Sequence, residues 1–414
     1  MSCDDFVVSR RRFLAGTTAL LGGVAVSGMV GDIFTQTAYG APGSNTLVVL
    51  SLRGGSDGLS LIVPHGDKAY AAARPTIAVP TGSLLAKDSM FGLHPELKPL
   101  ESMWKAGKFG AVQAVGMPVP NRSHFSAMEQ VEDADPGSSA RVGWLNRMIG
   151  NLQPADVVQE GMHIGGNLLP TSLAGPASAV STRQLADLRL PGGEDEASQK
   201  RMRSALAAMW SGQTSVTGKA AKAALAVTDT MKSLRKDAAP ANGAKYPDGD
   251  LGKALAASAR VIRADLGVKV ITLDYGGWDH HTDLGTLSQG EFRVRVGELA
   301  KAVSAFFTDL GATGDRVTLA TLSEFGRSVR QNGAAGTEHG HGNAMLLLGA
   351  GVRGRRVHGK WPGLSAGKLV DGDLAVTTDY RQVLGEVIKS RFADANLSTV
   401  FPGFKSGTAV GVMR

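Results

Sequence analysis

The sequence predicts a doubly wound, mainly parallel α/β sheet carrying a helical, loop-rich insertion. Three observations point there. Short apolar, β-branched runs recur without polar alternation, which is the signature of strands covered on both faces. Stretches of helical period separate them, as crossover connections between parallel strands require. Each run also ends in a Gly-rich or polar loop, and 54 glycines in 414 residues supply the turns. A hydrophobic share of 43% and a charged share of 20% fit a well-filled core and exclude a disordered chain.

The elements follow in chain order. Residues 46–52 (TLVVLSL) form the first strand, running directly into Arg53-Gly54-Gly55-Ser56-Asp57-Gly58. Residues 109–115 (FGAVQAV) form a second, ending at Met117-Pro118. Residues 136–267 are rich in Ala, Ser and Gly, with helical patterns near 198–210 and 252–265, and read as an insertion or cap. Residues 269–273 (KVITL) lead into Asp274-Tyr275-Gly276-Gly277, and residues 317–322 (VTLATL) into Ser323-Glu324-Phe325-Gly326. Between these two runs, Val294, Val296, Leu299, Val303, Phe306, Phe307 and Leu310 mark one face of a helix. Residues 344–348 close the set of strands, and 380–392 form a final amphipathic helix.

The first forty residues read as an export address. Ser9-Arg10-Arg11-Arg12-Phe13-Leu14 opens an apolar stretch that reaches about Val30, and Ala38-Tyr39-Gly40 offers small residues to a signal peptidase. This is the pattern of a twin-arginine signal peptide, with cleavage expected after Gly40 and a single domain left at 41–414. Gly16, Gly22, Gly23 and Gly28 dilute the apolar stretch, so no stable membrane anchor is expected. Delivery to the periplasm or beyond follows, by a route that carries folded proteins, often with a metal already bound. The only cysteine, Cys3, leaves with the signal, which removes disulfides, thiolate metal sites and Cys nucleophiles from the mature chain. The net charge of +7 is spread along the chain and aromatic residues are only 6%, which argues against a nucleic-acid partner. A small anionic ester or another envelope component suits that charge better.

Ligands of open α/β sheets bind beyond the carboxyl ends of the strands, so the polar residues placed there are the site candidates. They are Arg53 with Asp57; Asn121-Arg122-Ser123-His124; the segment 274–283 (DYGGWDHHTD); Ser323-Glu324-Phe325-Gly326-Arg327; and Glu338-His339-Gly340-His341. Imidazoles and carboxylates without thiols suit a divalent cation such as zinc, manganese or calcium. Asp57, Asp279, His281, Glu324, His339 and His341 are the candidate metal ligands, with His280 pointing away from His281. Either of the last two histidines can complete the set, although residues 332–336 have the composition of a mobile loop. Ser123 precedes a helical pattern (Phe125, Met128, Val131), which allows either an N-cap or a nucleophile at a helix N-terminus. His124, beside it, is the alternative base or ligand.

Taken in order, LRGGSDGLSLIVP (52–64), GLHPELKPL (92–100), SHF (123–125), GGWDHH (276–281), SEFGR (323–327) and EHGHGNAMLLLG (338–349) resemble the DUF1501 family. That family is grouped with the alkaline-phosphatase and sulfatase superfamily, and the resemblance implies an alkaline-phosphatase-like fold and a metal-dependent hydrolase of phosphate or sulfate esters. It also implies Ser123 as nucleophile and Arg327 or Arg122 as the cation that neutralises the ester. The superfamily's motif order departs here at three points. Arg53 rather than Asp follows the first strand, Phe325 stands where an imidazole is usual, and one residue rather than three separates Asp279 from His281. A one-metal site, or a non-catalytic envelope binding or assembly protein on a degenerate site, is equally compatible with these residues. An oxidoreductase is the weaker alternative, because no GxGxxG follows a strand and no haem or iron–sulfur ligation pattern exists.

Overall fold

The computed structural model describes residues 44–135, 141–152, 160–193 and 195–414. The export signal read at 1–40, including Cys3, lies outside the described residues. The strands in chain order are β1 (Thr46–Leu52), β2 (Ile62–Val63), β3 (Gly92–Leu93), β4 (Phe109–Gly116), β5 (Gly161–Ile164), β6 (Ala179–Thr182), β7 (Val270–Tyr275), β8 (Val317–Leu322), β9 (Arg327–Gln331), β10 (Thr337–His339), β11 (Asn343–Gly349), β12 (Val357–His358) and β13 (Thr378–Asp379). The central sheet runs β12-β4-β11-β8-β1-β7-β5-β6, with β13 also paired to β4.

All its pairings are parallel except those of β11, which runs antiparallel to both β4 and β8. The exception has a topological cause. Between β8 and β11 the chain makes only the β9–β10 hairpin, with no crossover helix to return it to the opposite edge, so it re-enters the sheet where it left and must run backwards.

The continuous apolar runs are explained by burial on both faces. Along β1, Val48, Leu50 and Leu52 pack with Leu255, Val296 and Phe306 from helices Asp250–Arg263 and Glu291–Leu310. Leu47 and Val49 face the other way, joining Val131, Met148, Val383 and Val387 from helices His124–Asp133, Trp144–Asn151 and Tyr380–Arg391. Each such side chain contributes roughly 1.5–3 kcal/mol by leaving water.

The reading of 136–267 as an insertion is corrected in part. β5 and β6 from this stretch extend the central sheet beside β7, and helix Asp250–Arg263 belongs to the main core. At four residues each, GMHI and AVST are too short to display a period, which is why the sequence hides them. Helices Glu196–Trp210 and Val216–Thr230 share a small separate cluster of Leu190, Leu206 and Leu225, and Val227 ties the second of them to the main core. No helix among the described residues is long and apolar enough to cross a membrane.

Candidate metal centre

The loops after β1, β4, β7 and β8, together with the β9–β10 hairpin, gather at one edge of the sheet. Their closeness depends on glycine. A Cβ on Gly54, whose φ is +115°, would sit 2.7 Å from the backbone nitrogen of Asp279. The same loop sends the Gly54 N–H to Glu324 Oε1 at 2.8 Å. The Gly-Gly after β1 therefore lets the 276–281 loop and the end of β8 meet.

Three imidazoles converge on Asp279. His124 opens the helix His124–Asp133, His281 follows β7 and His339 ends β10. Each has its Nδ1 engaged on the far side: His124 with Glu324 Oε1 at 2.8 Å, His281 with Glu338 Oε2 at 2.8 Å, and His339 with the carbonyl oxygen of Arg122 at 2.7 Å. A carbonyl or carboxylate oxygen only accepts, so each Nδ1 carries the proton and donates it. In the neutral ring each Nε2 is then a lone pair turned inward. His281 Nε2 lies 3.0 Å from His339 Nε2 and 3.1 Å from Asp279 Oδ1, with His339 Nε2 3.3 Å from the same oxygen. His124 Nε2 is 3.4 Å from Asp279 Oδ2, buried and without a hydrogen bond. Single donor atoms of His124, Asp279 and His339 all fall within 4.8 Å of one another.

This arrangement fits a cation. Two lone pairs facing each other at 3.0 Å repel unless a proton or a metal ion lies between or beside them. Donor atoms around a tetrahedral ion with bonds of about 2.0–2.1 Å are separated by roughly 3.3 Å, close to the spacing seen here. Carboxylate or carbonyl acceptors behind each imidazole are also the usual second layer of a metal site, since they fix the tautomer and raise ligand basicity. Asp279 is ready to serve. Burial pushes its carboxyl up, but the hydrogen bond and charge of Arg327, with His124 and His281 nearby, bring it down to about 2.

The other expected residues fall elsewhere. Asp57 is buried and gives both carboxylate oxygens to Arg74, at 2.5 and 3.0 Å, with the Ser60 hydroxyl adding a third bond at 2.6 Å. Burial alone would raise its pKa, yet Arg74 holds it below the usual carboxylate range. It is an internal ion pair, not a ligand. Glu324 stands behind His124 rather than among the inward atoms, accepting from His124 Nδ1 and Gly54 N. His341 is buried apart from the group, its Nε2 against the Met117 carbonyl oxygen at 2.8 Å, so of the two alternative histidines His339 is the one that joins. Arg327 is buried too, and its guanidinium donates to the carbonyl oxygens of Gly54, Gly55, Trp278 and Thr337 and to Asp279. With its donors committed to the protein, it cannot also face an ester, and its part is to hold Asp279. His280 does point away from His281, into a buried box with Trp278 and Phe292.

Ser123 occupies the N-cap position of helix His124–Asp133, but its hydroxyl makes no capping bond and is exposed. Arg122 is partly exposed and grips Asp373 at 2.5 Å. Sequence reasoning missed Glu338 as a supporting carboxylate, although it directly precedes His339. Strand alternation was the available signal: neighbours on β10 point to opposite sides, so Glu338 reaches His281 from behind.

Solved structures similar to this chain include the C-terminal periplasmic domain of EcEptC from Escherichia coli in complex with Zn, at 11% identity and a TM-score of 0.35, with 89% of each chain covered. A protein in the alkaline phosphatase superfamily from Vibrio parahaemolyticus matches at 11% identity and 0.34, over 83% of this chain and 71% of that one. The lipoteichoic acid synthase LtaP from Listeria monocytogenes matches at 8% and 0.35, over 88% and 80%. No curated protein matches the sequence. Residues 103–382, which carry β4, all four convergent residues and the whole β9–β10 hairpin, match the family described as "Protein of unknown function (DUF1501)", and the chain belongs to that family.

Proposed function

We propose that this chain is a periplasmic, metal-dependent hydrolase of small phosphate or sulfate esters, with one zinc ion held by Asp279 and the Nε2 atoms of His124, His281 and His339. The observation that carries the reading is the convergence of three Nδ1-pinned imidazoles on one carboxylate. Imidazole-rich ligation favours zinc over calcium, which prefers an all-oxygen shell. When bound, the ion supplies Lewis acidity to a nearby hydroxyl and to the ester oxygens.

The chain's own groups do the rest. Ser123 Oγ, free of a capping bond, is the nucleophile: it gives its proton to water and bonds to phosphorus or sulfur as the ester's carbon-side oxygen leaves and takes up a proton from water. Water then cleaves the seryl ester. The first-turn N–H groups of helix His124–Asp133 have no side-chain cap and face the anion that develops. Arg122, which holds Asp373 through Nε and Nη2 but stays partly exposed, is the cation assigned to the ester in place of Arg327. Ser123→Ala is expected to keep fold and metal while losing hydrolysis of generic phosphate and sulfate esters. Turnover that survives it sinks the nucleophile assignment, and a zinc-loaded wild type inert toward both ester classes favours a binding protein instead.

The periplasmic location rests on residues 9–14. Replacing Arg10, Arg11 and Arg12 by Lys keeps the charge and removes the guanidinium pairs, so precursor should accumulate in the cytoplasm on fractionation. Undiminished export would refute the twin-arginine route.

A further inference from the structure

Besides the helix start that carries His124, the convergent group draws on two segments that share no secondary structure, one carrying Asp279 and His281 and the other His339. One side chain bridges these two segments. Asn332, at the turn of the β9–β10 hairpin, makes four hydrogen bonds. Its Oδ1 accepts from the N–H groups of Ala334, at 2.9 Å, and Gly336, at 3.0 Å. Its Nδ2 donates to the carbonyl oxygen of His281 at 2.7 Å and to Glu338 Oε1 at 2.6 Å. The amide orientation is fixed by its neighbours, since two of them can only donate and two can only accept. All four hydrogen-bonding positions of the amide are used.

The two Nδ2 contacts bear on one residue from both sides. One holds the His281 backbone. The other holds Glu338, whose second oxygen accepts the proton of His281 Nδ1 at 2.8 Å. The surrounding chain leaves little slack: Thr337 N–H donates to the His280 carbonyl oxygen at 2.9 Å, and Asp283 and Leu284 N–H donate to Ala334 and Ala335. A Cβ on Gly336 would lie 2.2 Å from the His281 carbonyl oxygen.

We infer that Asn332 is a positioning residue for the metal centre, setting the rotamer and tautomer of His281 through its two Nδ2 hydrogen bonds. The inference rests on the hydrolase reading only for the identity of the ion, because its structural content concerns His281 itself. Asn332→Asp separates the two halves of the amide's work. An aspartate keeps the acceptor that holds the turn, so the hairpin is retained. It loses the donor and sets a carboxylate against Glu338 and the His281 carbonyl. Glu338→Gln is the second variant: its amide can still accept from Asn332, but its own N–H₂ faces His281 Nδ1 and drives the ring proton to Nε2.

Two measurements decide. In the metal-free full chain, imidazole nitrogen NMR should show His281 as the Nδ1–H tautomer in the wild type, mixed or exchanging in Asn332→Asp and as Nε2–H in Glu338→Gln. Zinc titration should show affinity falling by about 10- to 100-fold in both variants, the usual effect of losing a group that orients a ligand. An unchanged His281 ring spectrum in Asn332→Asp overturns the inference, as does undiminished zinc affinity in both variants. If the wild type binds no zinc, the hydrolase reading fails while the ring spectra still decide for or against Asn332. If Asn332→Asp does not fold, Glu338→Gln carries the test, and an Nδ1–H ring there overturns the inference.

Discussion

His94 shows how a single side chain links the interior to solution conditions. It is buried, its Nδ1 accepts from the Glu96 N–H at 3.2 Å as the cap of the segment Pro95–Leu100, and its ring meets Phe292 edge-on. Burial lowers its pKa from 6.5 to about 4. The unfolded chain therefore takes up a proton that the folded chain refuses between about pH 6.5 and 4, and stability falls as pH falls across that window, by roughly 3 kcal/mol in total. His94→Asn keeps a capping acceptor without titrating. Urea unfolding midpoints from pH 7 to 4 should decline less steeply in the variant; parallel declines would mean other groups dominate. The same scale shows what the sequence could convey about the site. His124, Asp279, His281 and His339 were legible as candidates because polar residues placed directly after buried strands have few structural reasons to be there. Asp57 looked equivalent. Its Arg74 lies 17 residues away at the end of the short helix Lys68–Ala73, and no spacing rule announces that pairing. Arg327 misled for a similar reason, since a cation near a candidate site reads as substrate-facing until its carbonyl acceptors are seen.

The β9–β10 hairpin is the element that makes the centre. Its turn looked mobile from composition, yet Asn332 and the N–H groups of Asp283 and Leu284 tie it to the loop after β7. Short polar turns hide their order in sequence because side chain to backbone bonds leave no periodic trace. After the hairpin, Gly340 passes so close to β9 that a Cβ would sit 2.4 Å from the carbonyl carbon of Arg327, and its N–H bonds the Gly326 carbonyl oxygen at 2.8 Å. Gly340→Ala should displace His339 while leaving the sheet in place. The expected loss is about 1–3 kcal/mol of stability, the range for overpacking, with a marked drop in zinc affinity. Stability and affinity both at wild-type levels would show that the hairpin can shift without consequence. The longer elements were read more easily. The runs at β1, β4, β7, β8 and β11 and the helix Glu291–Leu310 carry their period over five or more residues, whereas the direction of β11 depends on the path of the preceding hairpin and not on its own residues.

For the whole molecule, the sheet supplies two apolar layers that fix the strand ends, and the loops beyond one edge bring His124, Asp279 and His339 together, with His281 against Asp279 and His339. That assembly is the central claim, and a crystal of the protein soaked in zinc tests it directly through the anomalous signal at the zinc edge. The expected result is one strong peak within bonding distance, about 2.0–2.2 Å, of Asp279 and the Nε2 atoms of His124, His281 and His339. The peak should vanish in His281→Ala and persist in Asp57→Asn and His341→Ala. No peak at these four residues, or a peak at Asp57 or His341 instead, would contradict the account.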